Sequence, residues 1–311
     1  MTTYNCAPYL RQSIGSILTQ TFKNFELLII DDGSEDVTEQ IVRTFNDYRI
    51  KYINLNHIGR GAALNFGLKE AKYDLIALQD ADDISHPLRL EKQVSYLKND
   101  MTKIIFSNVA YFKENKILLV ATSNPDPVSI KRSLLLHGPF YNATMLFNKN
   151  HILQMGGYDE SLKANEDHEL WLRIKDKSNF QPILEILYFV RLRNDSLSNN
   201  PEITYEIQKP YFSDLAKTLN IYSISEQKKI SGWREFFYGD KNIARKEWKK
   251  MPIYKWNYKI LCAYLISFIP HKVYLIIRSK RIRFRIQYVF ERFFKYRFLQ
   301  KEFKQILILN K

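Results

Sequence analysis

The chain contains 311 residues, of which 45% are hydrophobic, so it can bury a sizeable core in one or two globular domains and is neither disordered nor fibrous. Lys and Arg outnumber Asp and Glu by 47 to 33, and the formal charge of +14 favours an anionic partner such as nucleic acid, an anionic membrane or a phosphorylated substrate. The two cysteines, Cys6 and Cys262, lie far apart in sequence, which argues against a disulfide framework or a cysteine zinc site and favours a cytoplasmic location.

Neither the N-terminal residues nor the most apolar stretch of the sequence has the pattern of a membrane-targeting segment. Met1 leads into polar residues, so we expect no signal peptide. The most apolar stretch, residues 260–270, falls well short of the roughly 20 residues that a membrane-spanning helix needs.

Residues 1–5 resemble the end of a strand, and we therefore expect a short first strand and a truncated or misassigned start of the chain.

The N-terminal part of the sequence alternates between helical and strand patterns. Apolar residues at helical spacing predict helices near residues 10–18, 36–45, 61–71 and 87–97, and short apolar runs predict strands at 25–30, 50–55 and 75–79. This alternation indicates βαβ units, so we predict an α/β fold with a Rossmann-like, mostly parallel sheet and flanking helices over residues 1–200.

The composition changes in the C-terminal part. From His271 onward, 12 Lys and Arg residues accompany only two acids, Glu291 and Glu302. The polar stretch Asn194–Pro201 is the expected boundary, and residues 201–311 are predicted to form a separate basic, mainly helical region. Basic residues interleaved with aromatics favour an anionic membrane surface as partner over nucleic acid, with a solvated face packed on the catalytic domain as the alternative.

Polar clusters follow three of the predicted strands, at residues 2–5, 31–34 and 80–83. In open α/β sheets ligands bind beyond the carboxyl ends of the strands, so three clusters on adjacent strands predict a binding site. A single acidic strand end would more simply be a turn or a helix cap. Of the pair Asp31 and Asp32, we expect one carboxylate to be structural and the other to face the site.

The third cluster places Asp80, Asp82 and Asp83 within four residues. Carboxylates packed this closely repel one another, and a cation would keep them ionised. Hard oxygen ligands favour Mg²⁺ or Mn²⁺, and a bound nucleoside diphosphate would supply the remaining oxygens.

The sequence contains an ordered set of short motifs. The N-terminal motifs are Thr3-Tyr4-Asn5, Tyr9-Leu10, Ser16-Ile17-Leu18, Phe25-Glu26-Leu27, Asp31-Asp32-Gly33-Ser34, Asp80-Ala81-Asp82-Asp83 and Pro87-x-Arg89-Leu90. Two further motifs follow as Gly156-Gly157-Tyr158-Asp159 and Glu166-Asp167-x-Glu169-Leu170-Trp171. In this order the motifs resemble the family 2 glycosyltransferases of GT-A fold, with the last two resembling the acceptor half of that fold, and the resemblance covers about residues 1–200.

The resemblance implies a role for each matching position. Nucleotide binding falls to Thr2, Tyr4, Asp32, Asp80 and Arg60. Asp82 is the implied ligand of Mn²⁺ or Mg²⁺, and Asp167 the implied catalytic base. Contacts with the acceptor or the diphosphate are implied for Glu166, Trp171, Arg191 and Arg193.

The implied activity is inverting, metal-dependent transfer of a sugar from a nucleotide sugar, with UDP favoured, to a hydroxyl of a glycan or lipid-linked acceptor in cell-surface polysaccharide or lipopolysaccharide biosynthesis. The enzyme would be cytoplasmic and peripheral on the inner face of the cell membrane. Residues 123–169 would contact the acceptor, with Tyr141, Asn142, Phe140 and His137 as candidates, although His137 is better interpreted as structural.

Three departures from the family pattern qualify these roles. Leu64 stands where many relatives have Arg, and the segment after Tyr188 lacks a His that contacts the metal or phosphate in some relatives, so Arg191 or Arg193 would bind the diphosphate instead. The sequence also lacks a Gln-x-x-Arg-Trp motif, which favours transfer of one sugar per acceptor over polymer synthesis.

Two other functions compete with transfer. The Asp80-x-Asp82 motif superficially fits a haloacid-dehalogenase-like phosphatase, but there it should follow the first strand and here it follows the fourth. A glycosyltransferase-like chain without turnover, serving as a membrane-bound scaffold, is favoured by the short first strand and disfavoured by the presence of Asp82 and Asp167.

Overall fold

The computed structural model describes residues 1–127, 129–130, 134, 141–193, 223–238, 240–268 and 295–310. The chain divides into two units, the first formed by Met1–Arg193 with Phe293–Lys311 and the second by Asn194–Arg292. Helices and strands are numbered below in chain order over the described residues.

The first unit begins with the predicted alternation of strands and helices. Strands β1, β2 and β3 pair in parallel in that order. The elements are β1 (Thr2–Thr3), α1 (Ala7–Leu18), β2 (Leu27–Asp31), α2 (Thr38–Arg43), β3 (Ile50–Asn54) and α3 (Arg60–Glu70). Apolar faces of α1 and α2 pack on these strands through a core that includes Leu10, Ile14, Ile29 and Val42. The parallel sheet predicted for this part of the chain is confirmed.

The second sheet of this unit mixes both strand directions. Its order is β4-β8-β6-β9-β5, and β7 pairs with β6. Only the long pair β6 and β9 is parallel among these neighbours, and the others are antiparallel. The elements are β4 (Leu75–Ala77), β5 (Ile84–Ser85), α4 (Arg89–Ser95), β6 (Lys103–Lys113), β7 (Lys116–Ala121), β8 (Leu146–Asn148) and β9 (Asn179–Arg191).

One parallel bridge, between Thr2 and Asp80, joins the two sheets. The carboxyl ends of β1 and β2 therefore lie beside the loop that follows β4, where the acidic cluster 80–83 begins. The strand order turns there from the parallel to the mixed sheet, which is the place where α/β sheets bind ligands.

Three further elements of the first unit lie between residues 142 and 174. They are a 3₁₀ turn (Asn142–Thr144), α5 (Lys149–Gln154) and α6 (Glu166–Ile174). The Asn65 side chain of α3 accepts a hydrogen bond from the N–H of Tyr158 and donates one to its carbonyl, both at 2.8 Å. Gly157 has φ 66°, and a Cβ there would lie 2.6 Å from Asn65 Oδ1, so only glycine allows this close approach.

The last helix, α10 (Lys295–Leu309), belongs to the first unit. Phe303 is fully buried, with its ring 4.8 Å from that of Phe112 and 4.7 Å from that of Phe189. Glu302 lies 3.0 Å from His86 Nε2. The predicted C-terminal region 201–311 is therefore divided between the two units. Its last helix belongs to the first unit because an apolar face of this helix covers β6 and β9. The basic residues at 272–292 lie outside the described part of the chain.

The second unit contains three described helices, α7 (Ile224–Tyr238), α8 (Lys241–Lys249) and α9 (Tyr258–Ile266), with a 3₁₀ turn (Ile253–Lys255). Trp248 is fully buried at the centre of its core, beside Phe236 and Ile260. None of the helices described here is long and apolar enough to cross a membrane. The mainly helical character predicted for this region is confirmed for these residues.

A fully buried arginine fixes the loop that carries the acidic cluster. Arg89, at the start of α4, donates to the carbonyl oxygens of Leu78 and Ala143, both at 2.8 Å. Its guanidinium also donates to the side chains of Ser85, Gln79 and Gln93. Burial lowers the pKa of Arg89 to about 10, so the guanidinium stays charged at neutral pH. Arg89 thus ties the end of β4 to the 3₁₀ turn of the acceptor half.

We expect Arg89→Met to destabilise the protein by about 3 kcal/mol or more. It leaves at least two buried carbonyl oxygens without their donor, and each such group costs about 1–3 kcal/mol. The measurement is chemical denaturation followed by circular dichroism. Arg43→Met is the matched control, because Arg43 is 72% exposed and its ion pair with Glu39 is a surface pair worth little. Equal stability of the two variants would contradict the role given to Arg89.

Candidate functional site

The site lies where β1, β2 and β4 end. The N–H of Asp32 donates to the Thr3 carbonyl at 2.9 Å, which holds the loop after β2 against the end of β1. The bridge between Thr2 and Asp80 brings the third cluster beside them. The three polar clusters predicted from the sequence therefore meet at one edge of the fold.

The carboxylates of Asp31 and Asp32 have different tasks, and both are buried. Asp31 accepts hydrogen bonds from the N–H of Ser34 at 2.9 Å and from the Tyr52 hydroxyl at 2.6 Å. Burial and the Asp31 carboxylate raise the pKa of Tyr52 well above its usual value, so its hydroxyl remains a donor. Asp31 is accordingly the structural member of the pair, because its partners close the turn after β2.

Asp32 holds the loop that leads into α3. Its two oxygens accept the N–H groups of Ile58 at 2.7 Å and Gly59 at 3.0 Å. The residue before them, His57, places its ring Nδ1 3.0 Å from the Asp32 carbonyl oxygen. A carboxylate fixed in this way has defined directions left for a further donor, which suits the N–H of a nucleotide base.

Two exposed rings stack beside Asp32. The centroids of Tyr4 and His57 are 4.4 Å apart, and the ring planes are inclined by 31°. Tyr4 is 44% exposed, although aromatic side chains are usually buried. A planar surface next to a buried carboxylate can hold a heterocyclic base by stacking and a hydrogen bond together.

Arg60 connects the loop after β4 to the start of α6. It opens α3, and its guanidinium contacts the carboxylates of Asp80, at 3.3 Å, and of Glu166. Glu166 is buried, and burial raises its pKa while the nearby Arg60 opposes that rise. Besides the nucleotide contact expected of it, Arg60 therefore holds the start of α6 next to Asp80.

The three acids of the 80–83 cluster occupy different environments. Asp83 is buried, accepts the N–H of Arg191 at 2.7 Å and is hydrogen-bonded by the Tyr188 hydroxyl. Burial and the neighbouring carboxylates raise the pKa of Asp83 well above its usual value. Asp80 is half-buried against Arg60, and Asp82 lies 3.0 Å from Arg193 Nε.

Two arginines at the end of β9 face this cluster. Arg191 donates through Nε to the Asp82 carbonyl at 2.7 Å and through a terminal nitrogen to the Gln12 side chain at 2.8 Å. The guanidinium groups of Arg191 and Arg193 lie over the Tyr9 ring, at 5.0 Å and 5.3 Å from its centroid. Positive charge is thus concentrated beside the acidic cluster 80–83.

The candidate base lies on the acceptor side. Asp167 is in the first turn of α6 and is half-buried, so a substrate can reach it. Asn165 precedes the helix with φ 59°, a left-handed conformation that asparagine tolerates. The positive end of the helix dipole stabilises a carboxylate at this position.

Other expected acceptor contacts are placed elsewhere by the structure. Trp171 is 1% exposed and packs between Phe147 and Phe180, so the expectation that it contacts a substrate is corrected. The Tyr141 hydroxyl hydrogen-bonds to that of Tyr111 at 2.6 Å, and Asn142 is buried. The candidates His137 and Phe140 lie outside the described residues.

The described residues do not assemble a protein-built metal cage. Within the described ranges, no group of three or more His, Cys, Asp and Glu side chains could hold a metal ion. Of the implied metal-binding motif, Asp82 has Arg193 on its carboxylate and Asp80 has Arg60. Among the described residues, the acid that the resemblance assigns to the cation is thus already paired with a guanidinium.

Several residues of the site carry no signal of their own in the sequence. Tyr188 is an ordinary strand residue by pattern, yet its hydroxyl bonds both Asp83 and the N–H of Asp80. His57 lies in an unremarkable loop, and only its contact with Tyr4 gives it a role. Such residues become visible only when distant segments are brought together.

Comparisons with known proteins agree with this geometry. The profile of Glycosyl transferase family 2 matches residues 1–160. The O-antigen biosynthesis glycosyltransferase WbnJ of Escherichia coli is 32% identical over 212 residues, which cover 66% of this chain and 83% of the relative. The putative glycosyltransferase EpsE of Bacillus subtilis is 34% identical over 220 residues, covering 67% and 76%.

Solved structures share the fold at low identity. TarS 1–349 of S. aureus, solved with UDP-GlcNAc, superposes with a TM-score of 0.61 at 18% identity over 86% of this chain and 77% of TarS 1–349. The mannosyltransferase PcManGT of Pyrobaculum calidifontis, solved with GDP-Man and Mn²⁺, gives a TM-score of 0.53 at 14% identity over 99% and 84%. Together with the family match and the two relatives, they identify the GT-A fold predicted from the motifs, and this chain belongs to glycosyl transferase family 2.

Proposed function

We propose that this glycosyltransferase moves one sugar, with inversion, from a nucleotide sugar to an acceptor hydroxyl. The observation that carries the proposal is the pair of contacts made by Arg60, which joins Asp80 on the donor side to Glu166, the neighbour of Asp167. A donor carboxylate and a candidate base belong to one site, as displacement at an anomeric carbon requires.

In the proposed mechanism Tyr4 and Asp32 hold the base of the nucleotide, while Thr2 and Asp80 lie near the ribose. The acceptor oxygen attacks the anomeric carbon from the side opposite the diphosphate, and Asp167 takes the acceptor proton. A divalent cation, Mn²⁺ or Mg²⁺, would neutralise the leaving diphosphate when bound, with Asp82 as its protein ligand. Arg193 competes with such a cation for Asp82.

We take UDP as the nucleotide and a cell-surface glycan as the acceptor. The choice of UDP is supported by the TarS structure, which contains UDP-GlcNAc, while PcManGT contains GDP-Man. A hexose or an N-acetylhexosamine would be the sugar transferred. The name of WbnJ, an O-antigen biosynthesis enzyme, supports a polysaccharide or lipopolysaccharide acceptor.

The first test is thermal stabilisation of the protein by UDP, GDP, dTDP and CDP, each with Mn²⁺ and with EDTA. Ligands that bind only the native state raise its melting temperature by mass action. We expect UDP to give the largest shift. Absence of a shift with every nucleotide under both conditions would refute the donor site.

The second test is Asp167→Asn. A positioned base contributes typically 10²–10⁴-fold, so we expect transfer to fall by about that factor while UDP stabilises the variant as it does the parent. The measurement is transfer of labelled sugar from a UDP-sugar to acceptors in a membrane extract. Asp176→Asn, at a carboxylate 62% exposed just beyond α6, is the control and should leave transfer unchanged.

The same assay, applied to the parent protein, separates transfer from the alternative of an inactive scaffold. Nucleotide binding with no transfer by the parent protein would support the scaffold. Transfer by Asp167→Asn at the parent rate would remove Asp167 from the mechanism.

The proposal places the enzyme in the cytoplasm on an anionic membrane surface. In the second unit Leu261, Leu265 and Phe268 are exposed, as are Ile253 and Tyr254 nearby in sequence. Apolar side chains of this kind, accompanied by lysines such as those at 249, 250 and 255, are typical of helices that lie in a lipid interface.

The membrane test is flotation with vesicles that contain phosphatidylglycerol. We expect binding at low salt that weakens as salt screens the charges, and about tenfold weaker binding by Leu265→Glu. Leu184→Glu changes a leucine of the first unit that is 55% exposed, against 62% for Leu265, and is the control. Absence of binding at low salt would count against the membrane partner.

A further inference from the structure

The ion pair between Asp82 and Arg193 is the least expected feature of the donor site. Arg193 Nε lies 3.0 Å from Asp82 Oδ2, and the two side chains are only 18% and 20% exposed. A pair withdrawn from water to this degree is screened less than a surface pair. The acid that the resemblance assigns to a metal ion therefore carries a guanidinium belonging to the chain itself.

The position of Arg193 is supported by its surroundings. Its guanidinium lies 5.3 Å from the centroid of the Tyr9 ring, which favours a cation, and its NH1 group lies 3.9 Å from Cys6 Sγ. Arg191 fixes the facing loop, because it donates to the Asp82 carbonyl and its N–H donates to Asp83. These two sets of contacts, made by Arg193 and by Arg191, hold Asp82 and Arg193 against each other.

The neighbouring acids offer little to a competing metal ion. Asp80 contacts Arg60, and Asp83 is buried with hydrogen bonds from Arg191 and Tyr188. Mg²⁺ and Mn²⁺ prefer several oxygen ligands, and Mg²⁺ gives up its water reluctantly. To bind Asp82 such an ion would have to lose water and displace Arg193 at the same time.

A guanidinium can perform the electrostatic task of the metal. Arg binds phosphate oxygens through paired N–H groups, and its charge persists at every relevant pH. In Arg193 this group lies beside Asp82, the residue that the resemblance places next to the diphosphate.

We propose that Arg193, oriented by Asp82, supplies the positive charge for the donor diphosphate in place of a divalent cation, so that nucleotide binding and transfer proceed without metal. The inference rests on the proposed function. In the transfer step the acceptor oxygen forms a bond to the anomeric carbon, and the bond from that carbon to the β-phosphate oxygen breaks. Its electron pair stays on the diphosphate beside Arg193, while the acceptor proton passes to Asp167.

The experiment measures UDP binding by calorimetry in EDTA and in Mn²⁺. We expect dissociation constants that agree within about threefold for the parent protein. For Arg193→Ala we expect binding in EDTA to weaken at least about tenfold, since a hydrogen bond to a charged group is worth about 1.5–3 kcal/mol. Arg193→Lys retains the charge without the paired donors and should lie between them. Arg43→Ala, at an exposed site, is the control.

Binding of Mn²⁺ itself provides a readout that does not depend on activity. The electron paramagnetic resonance signal of free Mn²⁺ should persist with the parent protein and fall when Arg193→His is added, because that variant frees Asp82 and supplies an imidazole ligand. UDP binding that occurs only with Mn²⁺ in the parent protein would overturn this inference while supporting the proposed function. Failure of UDP and the other nucleotides to bind under any condition would refute the proposed function itself.

Discussion

Negative charge gathered at the end of a sheet is the constraint on which the rest of this structure depends. Carboxylates removed from water are unfavourable unless a cation or hydrogen-bond donors compensate them. Asp32 has two backbone N–H groups, Asp80 and Glu166 share Arg60, and Asp82 has Arg193. Each of these contacts reaches across to another segment, so balancing the charge also positions the loops.

Two arginines, Arg60 and Arg89, connect segments of the first unit that are far apart in the sequence. Arg60 lies partly exposed and connects carboxylates on the donor and acceptor sides. Arg89 is fully buried beneath the acidic loop and connects backbone carbonyls from β4 and the 3₁₀ turn at Asn142–Thr144. A polar network of this kind is satisfied in only one arrangement, and it therefore fixes the distance between the donor loop and the acceptor half.

The last described helix completes a core of the first unit. Helix α10 places Phe303 against Phe112 and Phe189, on strands that run toward Arg191 and Arg193. The contact between Glu302 and His86 lies three residues from Arg89 along the chain. The last helix thus packs against the strand that ends at Arg191 and contacts the loop that precedes α4.

The α/β fold, the order of the first strands and helices, and the three acidic or polar clusters at the edge of the sheet could all be predicted from the amino-acid sequence. These follow from hydrophobic periodicity and from motifs of neighbouring residues, which are local properties. Tertiary structure alone decided that Asp31 is structural, that Trp171 belongs to the core and that the last helix returns to the first unit. It also decided the pairing of Asp82 with Arg193, because such contacts join residues far apart in the chain, and no local pattern specifies which distant partner will neutralise a given charge.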